Sequence, residues 1–212
     1  MGYGSKSENI KEESPLSFGV HSGTLAGIVF GKTTPRDASK LSQDIVTIRF
    51  VTPKGGFIEN VIYNPDTQTD EKKQEAAQEY VCNLFTYIAS KVYRKAKTDK
   101  SILISSKVDS WEALRKDVEE RIFKDNYTEV ALRFKTVGNV WKERPSVQIP
   151  RNFVWLENLE AIKEKKALDV VVSDYDKSKN AEYQAIIDNP ASSGKASAPT
   201  AGAEEAGDDL PF

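Results

Sequence analysis

Phe18-Gly19-Val20-His21-Ser22-Gly23-Thr24-Leu25-Ala26-Gly27-Ile28-Val29-Phe30 is rich in apolar and β-branched residues, and Gly31 follows it. Glycines inside a strand pattern mark bulges or bends, because they leave no side chain to pack and let another backbone approach closely. The stretch therefore predicts one long, strongly curved first strand, of the kind a small β-barrel needs in order to coil around itself. Residues 31–44 are turn-rich and carry Lys32, Pro35, Arg36 and Lys40. Residues 45–51 then alternate, with Val46, Ile48 and Phe50 on one face and Thr47 and Arg49 on the other. Pro53-Lys54-Gly55-Gly56 predicts a turn into a third strand at 57–63, so the first three strands read as an antiparallel meander.

Asn64-Pro65 ends the third strand, and Thr69 or Asp70 offers an N-cap for a long helix reaching about Lys97. Its apolar set, Ala77, Tyr80, Val81, Leu84, Phe85, Ile88 and Val92, recurs at helical spacing, and Lys91, Arg94, Lys95 and Lys97 complement the macrodipole at its C-terminal end. Ile102-Leu103-Ile104 reads as a short strand. Asp109 with Glu112 three residues on resembles a capping box, opening a second helix with an inner stripe of Trp111, Leu114, Val118 and Ile122. Residues 129–137 alternate again, Gly138-Asn139 predicts a turn, and residues 140–155 supply one or two more strands around Pro145 and Pro150. A helical fragment at 156–166 and an apolar run at 168–172 follow, and the patterning fades by about Asp188. The expected organisation is a flexible arm at 1–14, one core at 15–188, a linker at 189–207 and an acidic tip at 208–212.

A chain of 212 residues with 39% apolar and 29% charged residues buries one substantial core. No window approaches a membrane span, and the N-terminal residues lack the apolar stretch of a secretory signal, so a soluble, cytoplasmic protein is expected. Cys82 is the single cysteine and His21 the single histidine. That leaves no zinc constellation, no Cys-His pair and no spare members for a Ser-His-Asp set, and no catalytic residues, metal or cofactor are expected. Gly31-Lys32-Thr33 resembles the end of a phosphate loop, but Ala26 stands where the upstream glycine belongs. Residues 176–212 hold seven acids and three bases, leaving 27 of the 30 bases and 25 of the 32 acids to residues 1–175. A mildly basic body with an acidic tail suits a protein that binds a polyanion.

Binding single strands without sequence preference takes cations along a groove and aromatic faces on which bases stack. Arg133 and Lys135 share a polar strand face, and Trp141-Lys142-Glu143-Arg144 sets an indole beside two cations. Arg49, Lys54, Tyr63 and Arg151 complete the candidate DNA-binding set. Trp111 and Trp155 lie in apolar patterns and are expected in the core.

The chain closes on Asp208-Asp209-Leu210-Pro211-Phe212, behind residues rich in Ala, Ser, Gly, Pro and Thr. An apolar tip with no core to join, surrounded by carboxylates, suits capture by a basic pocket on a partner. About 20 linker residues have a root-mean-square span on the order of 25 Å, which gives the tip reach. This ending is similar to the C-terminal tip of bacterial and phage single-stranded DNA-binding proteins. The resemblance implies an OB-fold-like β-barrel core, here elaborated with two helices, that holds single-stranded DNA during replication, recombination and repair. It also implies a disordered tail whose tip recruits a polymerase, helicase or primase, in the bacterial cytoplasm or in the host cytoplasm for a phage-encoded form. The core is longer than usual for that family and carries an extra helix. A homo-oligomer is compatible with the sequence, as are two rival functions: a replisome adaptor that does not itself bind DNA, and a strand-annealing accessory protein.

Overall fold

A computed structural model of the chain describes residues 13–35, 37, 39–94, 104, 108–142, 144–165 and 169–189. Strands β1 (Ser14–Pro15), β2 (Gly19–Lys32), β3 (Asp44–Val51) and β4 (Gly56–Tyr63) lead into helix α1 (Glu71–Val92). Helix α2 (Trp111–Lys116) runs on as a π-helical stretch, Asp117–Ile122. Strands β5 (Leu132–Trp141), β6 (Arg144–Gln148) and β7 (Leu156–Asn158) follow, then helices α3 (Leu159–Lys165) and α4 (Asp174–Asp188).

The sheet order is β1-β4-β3-β2-β5-β6, with β7 also on β5. Its curvature originates in β2, the long strand expected from the glycine-broken stretch. Residues 19–23 of β2 pair antiparallel with β5, and residues 24–32 pair antiparallel with β3. The register shifts between Leu25 and Gly27, which bends the strand at the switch. Gly23 sits at that corner, where an added Cβ would lie 2.0 Å from the Val51 carbonyl oxygen, so only glycine lets the two backbones meet. β3 and β4 form a regular antiparallel pair from Ile45↔Tyr63 to Val51↔Phe57. The result is a curled half-barrel in which β6 returns alongside β4 with no hydrogen-bonded ladder between them.

The concave face holds Leu25, Val46, Ile48, Phe50, Leu132 and Phe134, all almost completely buried. Helix α1 closes the core with Val81, Leu84, Phe85 and Ile88, and its N-cap is Asp70, whose carboxylate accepts from Lys73 N at 3.1 Å. The helix stops at Val92 because Tyr93 leaves helical geometry and Arg94 turns to φ 39°. Lys95, Lys97, Ile102 and Leu103, expected in the helix end and a short strand, lie outside the described residues. Trp111, Leu114, Val118 and Ile122 are buried, but the N-cap is Ser110, which accepts from Ala113 N, and not Asp109. Trp155 is 1% exposed and meets Phe50 and Tyr87 edge-on. The Tyr87 hydroxyl donates to the Leu156 carbonyl and accepts from Leu156 N, and burial pushes its pKa up to about 12.

Four corrections to the expected elements have local causes. Ser14, expected at the end of a free arm, pairs in parallel with Gly56, beside the Pro15↔Phe57 pair. Gly138-Asn139 is not a turn: β5 runs through to Trp141, which pairs with Arg144 of β6. Residues 156–158 form β7 before the helix begins, with the Asn158 side chain accepting from Glu160 N and Ala161 N. Helix α3 falls within the helical fragment expected at 156–166, whereas α4 was not expected, because it lacks a strong apolar stripe. Helix α4 is opened by a capping box in which Ser173 and Asp176 bond each other's backbone N–H.

Candidate nucleic-acid interface

The outer face of the meander is formed by alternate residues of three strands. Register places Gly27, Val29 and Gly31 of β2 beside Ile45, Thr47, Arg49 and Val51 of β3, and these beside Phe57, Glu59, Val61 and Tyr63 of β4. Helix α1 packs against the opposite, concave face, so Val29 remains 64% exposed. Strand directions put the β3–β4 turn and the β5–β6 hairpin at the same end of the sheet, and β6 also comes into contact with β4.

Eight of the nine expected DNA-binding residues separate into three groups, and Arg151 stands apart. Lys54 is exposed in the β3–β4 turn, and Trp141, Lys142 and Arg144 surround the hairpin at the same end. Lys142 takes φ 47° directly after β5, a conformation costly to a side chain with a Cβ, and its ammonium lies 4.4 Å from the centre of the Trp141 ring. Trp141 is only half-buried, whereas Trp111 and Trp155 are in the core. This hairpin thus presents an accessible indole with two cations, the chemistry needed to stack a base and neutralise the phosphates beside it.

Arg49 and Tyr63 belong to the outer face itself, Tyr63 at its far end. The Arg49 guanidinium lies 4.5 Å above the centre of the Phe57 ring and donates to Glu59 at 3.1 Å and Glu13 at 2.6 Å. Phe57, Glu59 and Glu13 were missed by the sequence analysis. The alternation of 57–63 puts Phe57 and Glu59 on one face, but their meeting with Arg49 depends on strand register, and that of Glu13 on β1.

Arg133 and Lys135 are removed from the expected interface. Arg133 donates to the buried carboxylate of Glu157 at 2.7 Å, and Glu157 also accepts from Asp169 N and Val170 N, tying the segment before α4 to the sheet. Lys135 is 2% exposed; its ammonium donates to Asp176 at 2.7 Å and to the Val171 carbonyl. Burial opposes the charged carboxylate of Asp176, but the Lys135 and Ser173 donors outweigh it and hold its pKa below the ordinary range. The alternation that made Lys135 look solvated is real, but α4 covers that face. Arg151 is exposed in the loop after Pro150, near enough to Tyr80 to act on its ionisation.

No family model matches this chain, and no curated protein matches it. Among the described residues, no cluster of His, Cys, Asp and Glu is placed to hold a metal ion, and no helix is long and apolar enough to cross a membrane. The Cys82 thiol is pushed up, first by burial and then by Asp117, away from the thiolate form a nucleophile needs. The tip residues Asp208, Asp209, Leu210, Pro211 and Phe212 lie outside the described residues.

Proposed function

We propose that the protein binds single-stranded DNA without strong sequence preference through the outer face of β3–β4 and the β5–β6 hairpin, and recruits replication or recombination enzymes through Asp208 to Phe212. The observation that carries this is strand order. Leaving aside the short β1 and β7, the path β4-β3-β2-β5-β6, with a long first strand shared between two sheets and α1 between the third and fourth strands, is compatible with a partly open OB-fold barrel. OB-folds bind oligonucleotides on the face of their second and third strands, flanked by the loops between strands one and two and between strands four and five. In this chain the corresponding connections join Lys32 to Asp44 and Trp141 to Arg144. The acidic tip adds the resemblance to single-stranded DNA-binding proteins.

Binding under this proposal begins with electrostatic capture by Lys54, Lys142 and Arg144, after which a base stacks on Trp141. The other two tryptophans are buried, so quenching of intrinsic fluorescence by oligo-dT reports on Trp141. Trp141→Ala is expected to weaken oligo-dT binding by about 1–3 kcal/mol, on the order of 5- to 150-fold, and to abolish the quench. Unchanged affinity for oligo-dT would remove Trp141 from the interface. Tighter binding to duplex than to single strands would overturn the proposed ligand.

A further inference from the structure

Arg49 carries more negative charge than its place in the sheet requires. Its cross-strand partner is Glu59, directly opposite on β4, and that pair alone balances the charge. Glu13 adds a second carboxylate at 2.6 Å, so a single cation on the proposed DNA face is held by two anions. The guanidinium is already fixed in orientation by Phe57 beneath it. A planar fork held against a ring, with one edge facing an anion, is the geometry by which arginine takes a phosphate.

We propose that Arg49 is a masked phosphate subsite, occupied in the free protein by Glu13 as an internal stand-in for the DNA backbone. This rests on the DNA-binding function proposed above and adds a control to it. The hold on Glu13 is weak. Its side chain is 63% exposed, and it lies just outside the two-residue strand β1. The Ser14 N–H reaches the Gly55 carbonyl at 3.3 Å, whereas the Leu16 N–H reaches Phe57 at 2.8 Å. Leu16 packs against the core and over Gly56, where an added Cβ would come 2.4 Å from Leu16 Cδ2. The segment is therefore pinned at Leu16, and its acidic end can swing off Arg49 without disturbing the barrel. Incoming phosphate competes with Glu13 for the guanidinium, so in the wild type Arg49 stays largely paired with the carboxylate and adds little to the phosphate contacts.

The test is an oligo-dT titration of the full chain at several salt concentrations, comparing Glu13→Gln, Arg49→Gln and the double variant, with Glu79→Gln as a control for loss of one exposed acid elsewhere. Glu13→Gln is expected to bind about two- to fivefold more tightly at low salt, the range of an exposed charge pair. Its log–log salt slope should steepen by about 0.7, corresponding to one more phosphate contact. Arg49→Gln should erase both effects in the double variant, and Glu79→Gln should show neither. If Glu13→Gln leaves affinity and slope unchanged, or weakens binding, while the wild type binds oligo-dT, the mask is overturned and the DNA-binding function stands. If the wild type does not bind oligo-dT, that function fails and the mask with it.

Discussion

Lys135 shows how the environment of one side chain decides its role. On an alternating strand it is indistinguishable from a solvated cation suited to DNA, yet its ammonium is enclosed with the Asp176 carboxylate, at 3% and 4% side-chain exposure. A buried pair of this kind is costly to break, because the surviving charge is left in a poorly solvated site. Lys135→Met is therefore expected to lower stability by about 3–5 kcal/mol in urea denaturation, while the folded variant binds oligo-dT with unchanged affinity. Weaker binding by the folded variant would return Lys135 to the interface. Trp141 is the opposite case. Its flanking Lys142, Glu143 and Arg144 leave too little apolar material to bury an indole, and the half-buried ring agrees with that local composition. Residues whose surroundings come from their own strand or turn were legible in the sequence. Lys135, Arg133 and Arg49 were not, because their partners are contributed from far along the chain.

The same distinction holds for elements. The meander β2–β3–β4 and helix α1 follow from local periodicity, and Val46, Ile48 and Phe50 point inward as the alternation requires. Gly138 misleads because glycine serves two purposes. It reads as a turn residue, but its N–H donates to Asn180 Oδ1 at 2.8 Å, and the absence of a side chain lets α4 close on β5. An added Cβ there would lie 2.6 Å from Tyr183 Cβ. Helix α4 was missed for a related reason: it is fastened by Asp176, Asn180 and Tyr183 rather than by a long apolar stripe, and the Ser173–Asp176 capping box was its one local signal. Gly138→Ala should displace α4 and reduce stability by about 1–3 kcal/mol, with hydrogen-exchange protection falling along α4 before it falls along α1. Unaltered stability and protection would mean that α4 does not depend on this close approach.

At the scale of the whole molecule, one strand shared between two sheets explains both the curled half-barrel and the position of the proposed interface. The bend of β2 at Gly23 separates the β3–β4 face from the β5–β6 hairpin in sequence and brings their ends to one side of the sheet. The mainly β, curled architecture was legible from that glycine-broken strand. The composition of the interface was less so, since two of its expected cations are spent on anchoring the segments before and within α4. Lys54, Lys142 and Arg144 remain exposed, with Arg49 held by Glu13 and Glu59. Three to four phosphate contacts on a single strand correspond to a log–log salt slope of about −2 to −3. The most direct measurement is a fluorescence titration of the full chain with oligo-dT across a range of salt concentrations. Saturable binding with that slope, and with oligo-dT preferred over duplex DNA, is the predicted result. Absence of binding at low salt, or an affinity insensitive to salt, would contradict the account.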